Sequence, residues 1–158
     1  MPSNGVEFVR LARAVRDEIG QRHRYAHVLR VARMAERLAH AHGVGAARAR
    51  LAAMLHDLAR LYPADRLLRE CEQRAMPIDA FERAVPIVLH ARLGAELARE
   101  RYGVEDESVL SAIRKHTQAD AVMSPLDAVV FLADGLEPCR DFAERAELAE
   151  LAFVDLKA

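Results

Sequence analysis

Three segments of the sequence carry a histidine or an aspartate in an otherwise apolar setting. His27 lies in RYAHVLRVARMAERLA, His56 and Asp57 are adjacent in LAAMLHDLARL, and Asp134 follows the uncharged run AVVFLA. Two imidazoles and two carboxylates form a mixed nitrogen and oxygen ligand set, which suits iron, manganese, zinc or a similar divalent ion. The sequence therefore predicts a metal site formed by these four side chains.

The position of His27 in its helix supports this prediction. His27, Val31, Met34 and Leu38 follow one another at helical spacing, so they share one face of the helix. Because the other members of this stripe are apolar, the face points towards the core. We therefore expect the imidazole of His27 to be buried.

The two aspartates need a partner inside the protein. Burying an ionised carboxylate costs several kcal/mol unless it is paired. The only lysines are Lys115 and Lys157, and neither is close in sequence to Asp57 or Asp134. A metal ion would compensate this cost. A purely structural helical bundle would leave both carboxylates without a partner, so we rank that hypothesis last.

The other five histidines divide into two groups. His23 begins a helical segment and His40 and His42 end one, where a histidine interacts favourably with the helix dipole, so we expect these three on the surface. His90 follows an apolar run beside a proline, and His116 ends an amphipathic segment. Either of the latter can cap a helix or lie in the core, bind a second metal, or contact a phosphate oxygen.

Apolar residues recur at helical spacing almost throughout, and no stretch alternates as a strand does, which predicts an all-α fold. Gly43 and Gly103 are expected as C-terminal caps, Pro63 and Pro125 in first turns, and Ser124 as an N-cap. Pro86 should kink or split its helix. The predicted helices are 5–19, 23–42, 46–60, 64–75, 80–101, 106–117, 125–137 and 142–156.

The composition narrows the classes of function. The net charge is −1, which gives no global field for attracting polymeric nucleic acid. A membrane span needs about 18 consecutive apolar residues, and no window of the sequence contains such a run. Charged residues interrupt the N-terminal apolar runs, so no secretory signal is expected and a cytoplasmic location is the default. Cys71 and Cys139 are far apart in sequence and are expected to be reduced thiols.

With their surrounding residues, these segments resemble the HD superfamily of metal-dependent phosphohydrolases, and within it the YqeK family of symmetrical diadenosine tetraphosphate hydrolases. The resemblance is carried by RYAHVLRVARMAERLA, LAAMLHDLAR, VLHARLGAELARERYGV, VLSAIRKHT and LADGLEPCRDF. It implies one HD domain over residues 1–158, with the core motifs at about 23–142. It also implies iron as the metal, a nucleotide substrate cleaved into two ADP, and a homodimer.

The resemblance also assigns residues by position. It gives the metal ligands as His27, His56, Asp57 and Asp134. It gives the nucleotide and phosphate contacts as Arg24, Arg60, His90, His116, Thr117 and Arg140. The chain departs from the family pattern in three segments, reading LHARLGA for LHGPVGA, HTQA for HTTG and LADGLEPCRDF for LADYIEPGRDF. Among these changes, Gly135 replaces an aromatic residue, and Ala119 and Cys139 replace glycines.

The chemistry expected of such a site is attack on phosphorus by a water that one or two metal ions activate. Asp57 would touch both metal and water, and a protonated His90 or His116 would stabilise charge on the phosphates. Two alternatives stay open. The first is an HD enzyme acting on a nucleoside monophosphate, a deoxynucleotide or a cyclic nucleotide. The second is a nucleotide-binding HD domain without turnover, which the changes at Gly135 and Ala119 favour.

Overall fold

The computed structural model describes residues 4–157, which form helices and connecting turns without any strand. The elements are α1 (Asn4–Ile19), α2 (Arg22–Ala41), α3 (Ala46–Leu55), α4 (Ala64–Gln73), α5 (Ala80–Ala84), a 3₁₀ turn (Pro86–Val88), α6 (Leu89–Tyr102), α7 (Glu107–Arg114), α8 (Pro125–Leu136) and α9 (Arg145–Ala152). The all-α prediction is confirmed. Within this part of the chain, no helix has the length and apolar character needed to cross a membrane.

The centre of the bundle is formed by α2, α3, α7 and α8. Helix α2 packs along α3 and against α8, and α7 packs between α6 and α8. Small side chains make the approach close, since Ala49, Ala52 and Ala53 of α3 are fully buried. Helix α1 covers α2 and α3, α4 covers α6, and α9 covers α8. The site residues therefore come from the most tightly packed part of the fold.

Gly94 lies where α6 approaches the turn after α3. A Cβ at this position would lie 3.4 Å from the carbonyl oxygen of His56 and 3.6 Å from Cγ2 of Ile113. Both are van der Waals contacts, so a side chain larger than alanine would push α6 away. A small residue at this position is therefore compatible with the close approach of α6 to the segment that carries His56 and Asp57.

Several helix ends match the predicted signals. Ser124 accepts from the N–H of Asp127, whose side chain accepts from Ser124 in return, and Pro125 is the first helical residue. Gly103 caps α6 in the left-handed region at φ 65°. Gly43 also has a positive φ, directly after the C-cap of α2. Pro86 splits the predicted fifth helix into α5, a 3₁₀ turn and α6 because proline has no N–H to donate.

Other predicted boundaries are wrong. Helix α3 ends at Leu55 rather than residue 60, because the chain tightens into turns such as the bond from the N–H of Arg60 to the carbonyl of Asp57. Helix α7 ends at Arg114 rather than 117 for a similar reason. Helix α9 is shorter at both ends than predicted: a turn precedes it, and its last turn tightens at Phe153. Pro63 is the N-cap of α4 rather than a residue of its first turn.

The structure also shows the exposure of the predicted surface histidines and of the two cysteines. His23 and His40 are exposed, as predicted. The prediction for His42 is wrong, since this side chain is half-buried and its Nε2 lies 2.7 Å from the carbonyl oxygen of Ala152, which ties α2 to α9. Both cysteines are free, with Cys71 buried and Cys139 exposed.

Candidate metal and phosphate site

Four buried imidazoles meet where α2, α3, α6 and α7 converge. His27 projects from the middle of α2, His56 directly follows α3, His90 lies in the first turn of α6, and His116 follows α7. Their exposed fractions are 5%, 0%, 4% and 3%. The rings form a chain of edge contacts, with centroids 5.6 Å apart for His27 and His56, 4.8 Å for His56 and His116, and 4.9 Å for His90 and His116.

Each ring is fixed through its Nδ1 atom. The Nδ1 atoms of His56, His90 and His116 lie 2.6, 2.5 and 2.7 Å from the carbonyl oxygens of the residues three positions earlier. Because a carbonyl can only accept, these Nδ1 atoms carry the proton. The Nε2 atom of a neutral ring then presents a lone pair to the centre of the cluster, as a metal ligand requires.

The carboxylates of Asp57 and Asp134 lie among these Nε2 atoms. Oδ1 of Asp134 is 3.0 Å from Nε2 of His27 and 3.7 Å from Nε2 of His56. Oδ2 of Asp57 lies 3.7 and 3.4 Å from the same two nitrogens. Bonds of about 2.1 Å to one ion would hold ligand atoms roughly 3.0 to 3.5 Å apart. His27, His56 and Asp134 therefore suit a single ion in type and spacing, and Oδ2 of Asp57 lies beside the same two imidazoles.

The other oxygen of Asp57 faces a second group. Its Oδ1 is 3.6 Å from Nε2 of His90 and 3.8 Å from Nε2 of His116. Two sets of ligand atoms each lie within 4.8 Å of one another, namely His27, His56 and Asp134, and His56, Asp57 and His116. Asp57 thus stands between two places where a cation fits.

Two orphaned atoms support a cation in the first place. Nε2 of His27 and Nε2 of His56 are buried and have no hydrogen-bond partner among the residues that the structure describes. The 3.0 Å contact between His27 and Asp134 lies outside hydrogen-bond geometry. Buried polar atoms are nearly always satisfied, so these nitrogens and the adjacent carboxylates fit a metal ion.

The acidic and basic side chains of the cluster shift one another's pKa values. Burial alone would raise the pKa of Asp134 and Asp57, but the neighbouring histidines outweigh it and hold both pKa values below their usual range. Burial opposes protonation of His56, yet the two carboxylates raise its pKa to about 9. A metal ion binding here would displace that proton.

His90 and His116 differ from the sequence-based expectation in their charge. Burial lowers the pKa of His90, and burial together with repulsion from the other histidines lowers that of His116 to about 3. Both shifts favour neutral rings, which is opposite to the expectation of a protonated His90 or His116. Each can accept a proton or ligate a cation.

The cluster opens into a cavity of about 380 Å³. Arg24 reaches Oδ2 of Asp57 at 3.1 Å, and Arg140 binds Asp134 through its carboxylate at 2.7 Å and its carbonyl at 2.8 Å. Thr117 is exposed at the rim, with Oγ1 3.3 Å from Nε2 of His90. All six predicted nucleotide contacts line this cavity: Arg24, Arg60, His90, His116, Thr117 and Arg140.

Sequence reasoning missed Glu137 and Arg30. Glu137 is 2% exposed and lies 3.1 Å from Nδ1 of His27. It also accepts from Arg30 at 2.7 Å and from the N–H of Cys139 at 2.8 Å. Burial opposes ionisation, but these donors lower the pKa of Glu137 to about 2. The available signals were an acidic residue just after an apolar helix, and an arginine three residues after His27.

Comparison with known proteins places this arrangement in context. A model of the HD domain family matches residues 24–139, which include all six histidine and aspartate side chains of the cluster. The chain is 36% identical over 134 residues to the symmetrical bis(5'-nucleosyl)-tetraphosphatase of Bacillus subtilis, covering 85% of this chain and 72% of that protein. For the protein of the same name from Halalkalibacterium halodurans, the identity is 37%, with 85% and 71% covered.

A solved structure is also similar. The crystal structure of a protein from Clostridium acetobutylicum, described as a predicted HD superfamily hydrolase involved in NAD metabolism, superposes with a TM-score of 0.89 at 31% sequence identity. The superposition covers 94% of this chain and 78% of that one. The similarity therefore extends beyond the cluster to the helices that carry it.

Proposed function

This chain belongs to the HD domain family, and from that premise we propose that it is a metal-dependent hydrolase that splits diadenosine tetraphosphate into two ADP. The observation that carries the proposal is the cluster of four inward-facing Nε2 atoms and two carboxylates beneath an arginine-lined cavity. The activity is the one that the names of the Bacillus subtilis and Halalkalibacterium halodurans relatives state. We propose further that residues 1–158 act as one HD domain and, as the resemblance implies, as a homodimer.

Two metal ions would be held, one at each carboxylate oxygen of Asp57. His27, His56, Asp134 and one oxygen of Asp57 would bind the first ion, and His90, His116 and the other oxygen would bind a second. Iron is favoured by the family resemblance, and manganese or zinc suits the same nitrogen and oxygen donors. When bound, such an ion lowers the pKa of a coordinated water and screens negative charge on the phosphates.

The arginines of the cavity would bind the polyphosphate. Arg24 and Arg140 lie on the cavity side of Asp57 and Asp134, and their guanidinium groups pair with these carboxylates. A planar guanidinium matches phosphate oxygens in a bidentate manner. Arg60 lines the same cavity. Positive charge on several sides would hold one nucleotide half and stabilise the charge that develops during phosphoryl transfer.

The bond that breaks follows from the symmetry of the products. The water oxygen bonds to the phosphorus that is second from one nucleoside, and the bond from that phosphorus to the central bridging oxygen breaks. The bridging oxygen and its electron pair leave with the other half, so each product is ADP. With only the first ion bound, the Nε2 lone pair of His90 or His116, both of which line the cavity, would accept the proton that the water releases, while Asp57 would orient the water. With a second ion bound, both nitrogens would instead be ligands and that role would fall to another group.

A substrate panel tests this proposal. Metal-reconstituted protein should cleave diadenosine tetraphosphate and leave AMP and a cyclic nucleotide intact, and chelation should abolish the cleavage. An Asp57→Asn variant, which keeps the shape of the side chain without its charge, should be inactive. Hydrolysis of AMP with an untouched dinucleotide would contradict the proposal and favour a nucleotidase. Tight nucleotide binding without turnover would favour a binding domain.

A further inference from the structure

A second cavity, of about 250 Å³, lies between α8 and α9. It adjoins the cavity of about 380 Å³ above the metal cluster, which we call the phosphate cavity. The walls of the second cavity are almost entirely apolar. They include Phe131, Leu132 and Leu136 on α8, Phe142 in the following turn, and Leu148 and Leu151 on α9. We call this cavity the α8–α9 groove. Phe142, Leu148 and Leu151 keep exposed fractions of 43%, 41% and 41%, so the groove has apolar surface that the described residues leave uncovered.

Gly135 joins the two cavities. Gly135 and Phe131 line both the phosphate cavity and the α8–α9 groove. A Cβ built on Gly135 meets no atom within 4 Å, so the space beside the helix is open at this point. Gly135 directly follows Asp134, a proposed metal ligand. A molecule whose phosphates lie over the metal cluster can therefore extend into the groove past this glycine.

We propose that the α8–α9 groove binds the nucleobase of one half of the substrate, and that Gly135 is the position that keeps the groove accessible. This inference rests on the proposed function, which supplies a nucleotide whose phosphates occupy the neighbouring cavity. A planar base has the shape and the apolar faces that two phenylalanines and several leucines accommodate. Arginine and metal would hold the charged end of the nucleotide, and the groove would hold the aromatic end.

The edge of the groove indicates which kind of base fits. Asp155 is the one ionisable side chain among the described residues that line it. Its Oδ1 accepts from the N–H of Lys157 at 2.8 Å, and among the described residues no hydrogen bond to its Oδ2 is present. A carboxylate oxygen accepts from an exocyclic amino group, such as the one on adenine. The groove therefore favours a base that carries an amino group.

Calorimetry on the metal-loaded protein tests the groove directly. Gly135→Leu would fill its mouth and should weaken ADP binding by about tenfold, equivalent to about 1.4 kcal/mol, while inorganic pyrophosphate, which has no base, should bind within twofold of wild type. Ala146→Leu adds the same side chain at an exposed position of α9 outside the groove and serves as the control. Asp155→Ala, at an exposed site, should weaken ADP binding but leave inosine diphosphate, which lacks the amino group, unchanged.

Three results would overturn the inference. The first is equal loss of ADP and pyrophosphate binding in folded Gly135→Leu. The second is unchanged ADP affinity in both Gly135→Leu and Asp155→Ala. The third is a wild-type dimer that Gly135→Leu dissociates without changing ADP affinity, which would assign the groove to a second copy of the chain. Failure of the proposed function is separate: a wild-type protein that does not cleave the dinucleotide can still show whether ADP requires the groove.

Discussion

The Nε2 atoms of His90 and His116 face each other at 3.0 Å. Neither ring can turn away freely, because each Nδ1 is bound to a backbone carbonyl. In neutral rings this arrangement directs two lone pairs at each other, and a cation bound by both nitrogens would relieve that repulsion. Oδ1 of Asp57 lies close to both nitrogens. The pair is therefore placed to ligate a cation beside the first proposed metal position.

Replacing either member of this pair should affect turnover more than folding. We expect His90→Gln or His116→Gln to lower kcat by roughly 100-fold or more, the usual contribution of a positioned acid or base. Helical content and the first metal should be retained, as measured by circular dichroism and metal analysis. His40→Gln, at an exposed position, is the control. Unfolding of both variants, or unchanged turnover, would point to a structural role.

Asp57 is the residue that both proposed cation positions share. Asp57→Ala should remove the metal and the activity together, because the side chain faces the first group through Oδ2 and the second through Oδ1. Metal content by mass spectrometry and turnover are the measurements. Asp65→Ala on the exposed face of α4 should change neither. A variant that keeps a full equivalent of metal at native affinity would show that the ligand assignment is wrong.

Metal removal should lower the thermal stability. A ligand that binds only the folded protein contributes about 2.7 kcal/mol when its free concentration is 100 times its Kd. For a chain of this size we expect a fall in Tm of roughly 5–10 °C after chelation. Differential scanning calorimetry before and after chelation, with re-addition of the metal, measures it. If Tm stays the same after verified removal, the ion is not embedded in the core.

Glu137 should raise the metal affinity of the first proposed position through its contact with His27. Glu137→Gln keeps an acceptor for Nδ1 of His27 but removes the charge that also holds Arg30. Changes behind a ligating histidine typically cost 10–100-fold in metal affinity, and we expect a loss in that range. Competition with a chelator measures it, and Glu150→Gln on the surface of α9 is the control. Unchanged affinity in the folded variant would limit Glu137 to a structural role.

The fold class and the inward direction of the ligands could be predicted from sequence because both follow from helical periodicity. The stripe through His27, Val31 and Leu38 is buried, as its spacing requires. The hydrophobic pattern does not show where a helix tightens into a turn. His56 and Asp57 accordingly lie just after α3 rather than within it. This turn, and not a helical face, directs both side chains to one point.

The contacts behind the ligands could not be predicted for a different reason. The bond between Glu137 and His27 joins residues 110 positions apart, and only the packing of α2 against α8 brings them together. The same holds for His90 and His116, whose sequence context left a cap, a core residue or a ligand equally open. The groove beside Gly135 depends on how α8 and α9 pack, which a single glycine in the sequence does not reveal.

Hydrolysis of diadenosine tetraphosphate in ¹⁸O-labelled water tests the central proposal most directly. Products are separated at early time and analysed by mass spectrometry, with chelated protein and the Asp57→Asn variant as controls. We predict ADP alone, with one ¹⁸O atom on the terminal phosphate of half of the ADP molecules, because one water attacks one of the two central phosphorus atoms. Equal amounts of AMP and ATP, or cleavage that persists in both controls, would contradict symmetrical hydrolysis at this metal site.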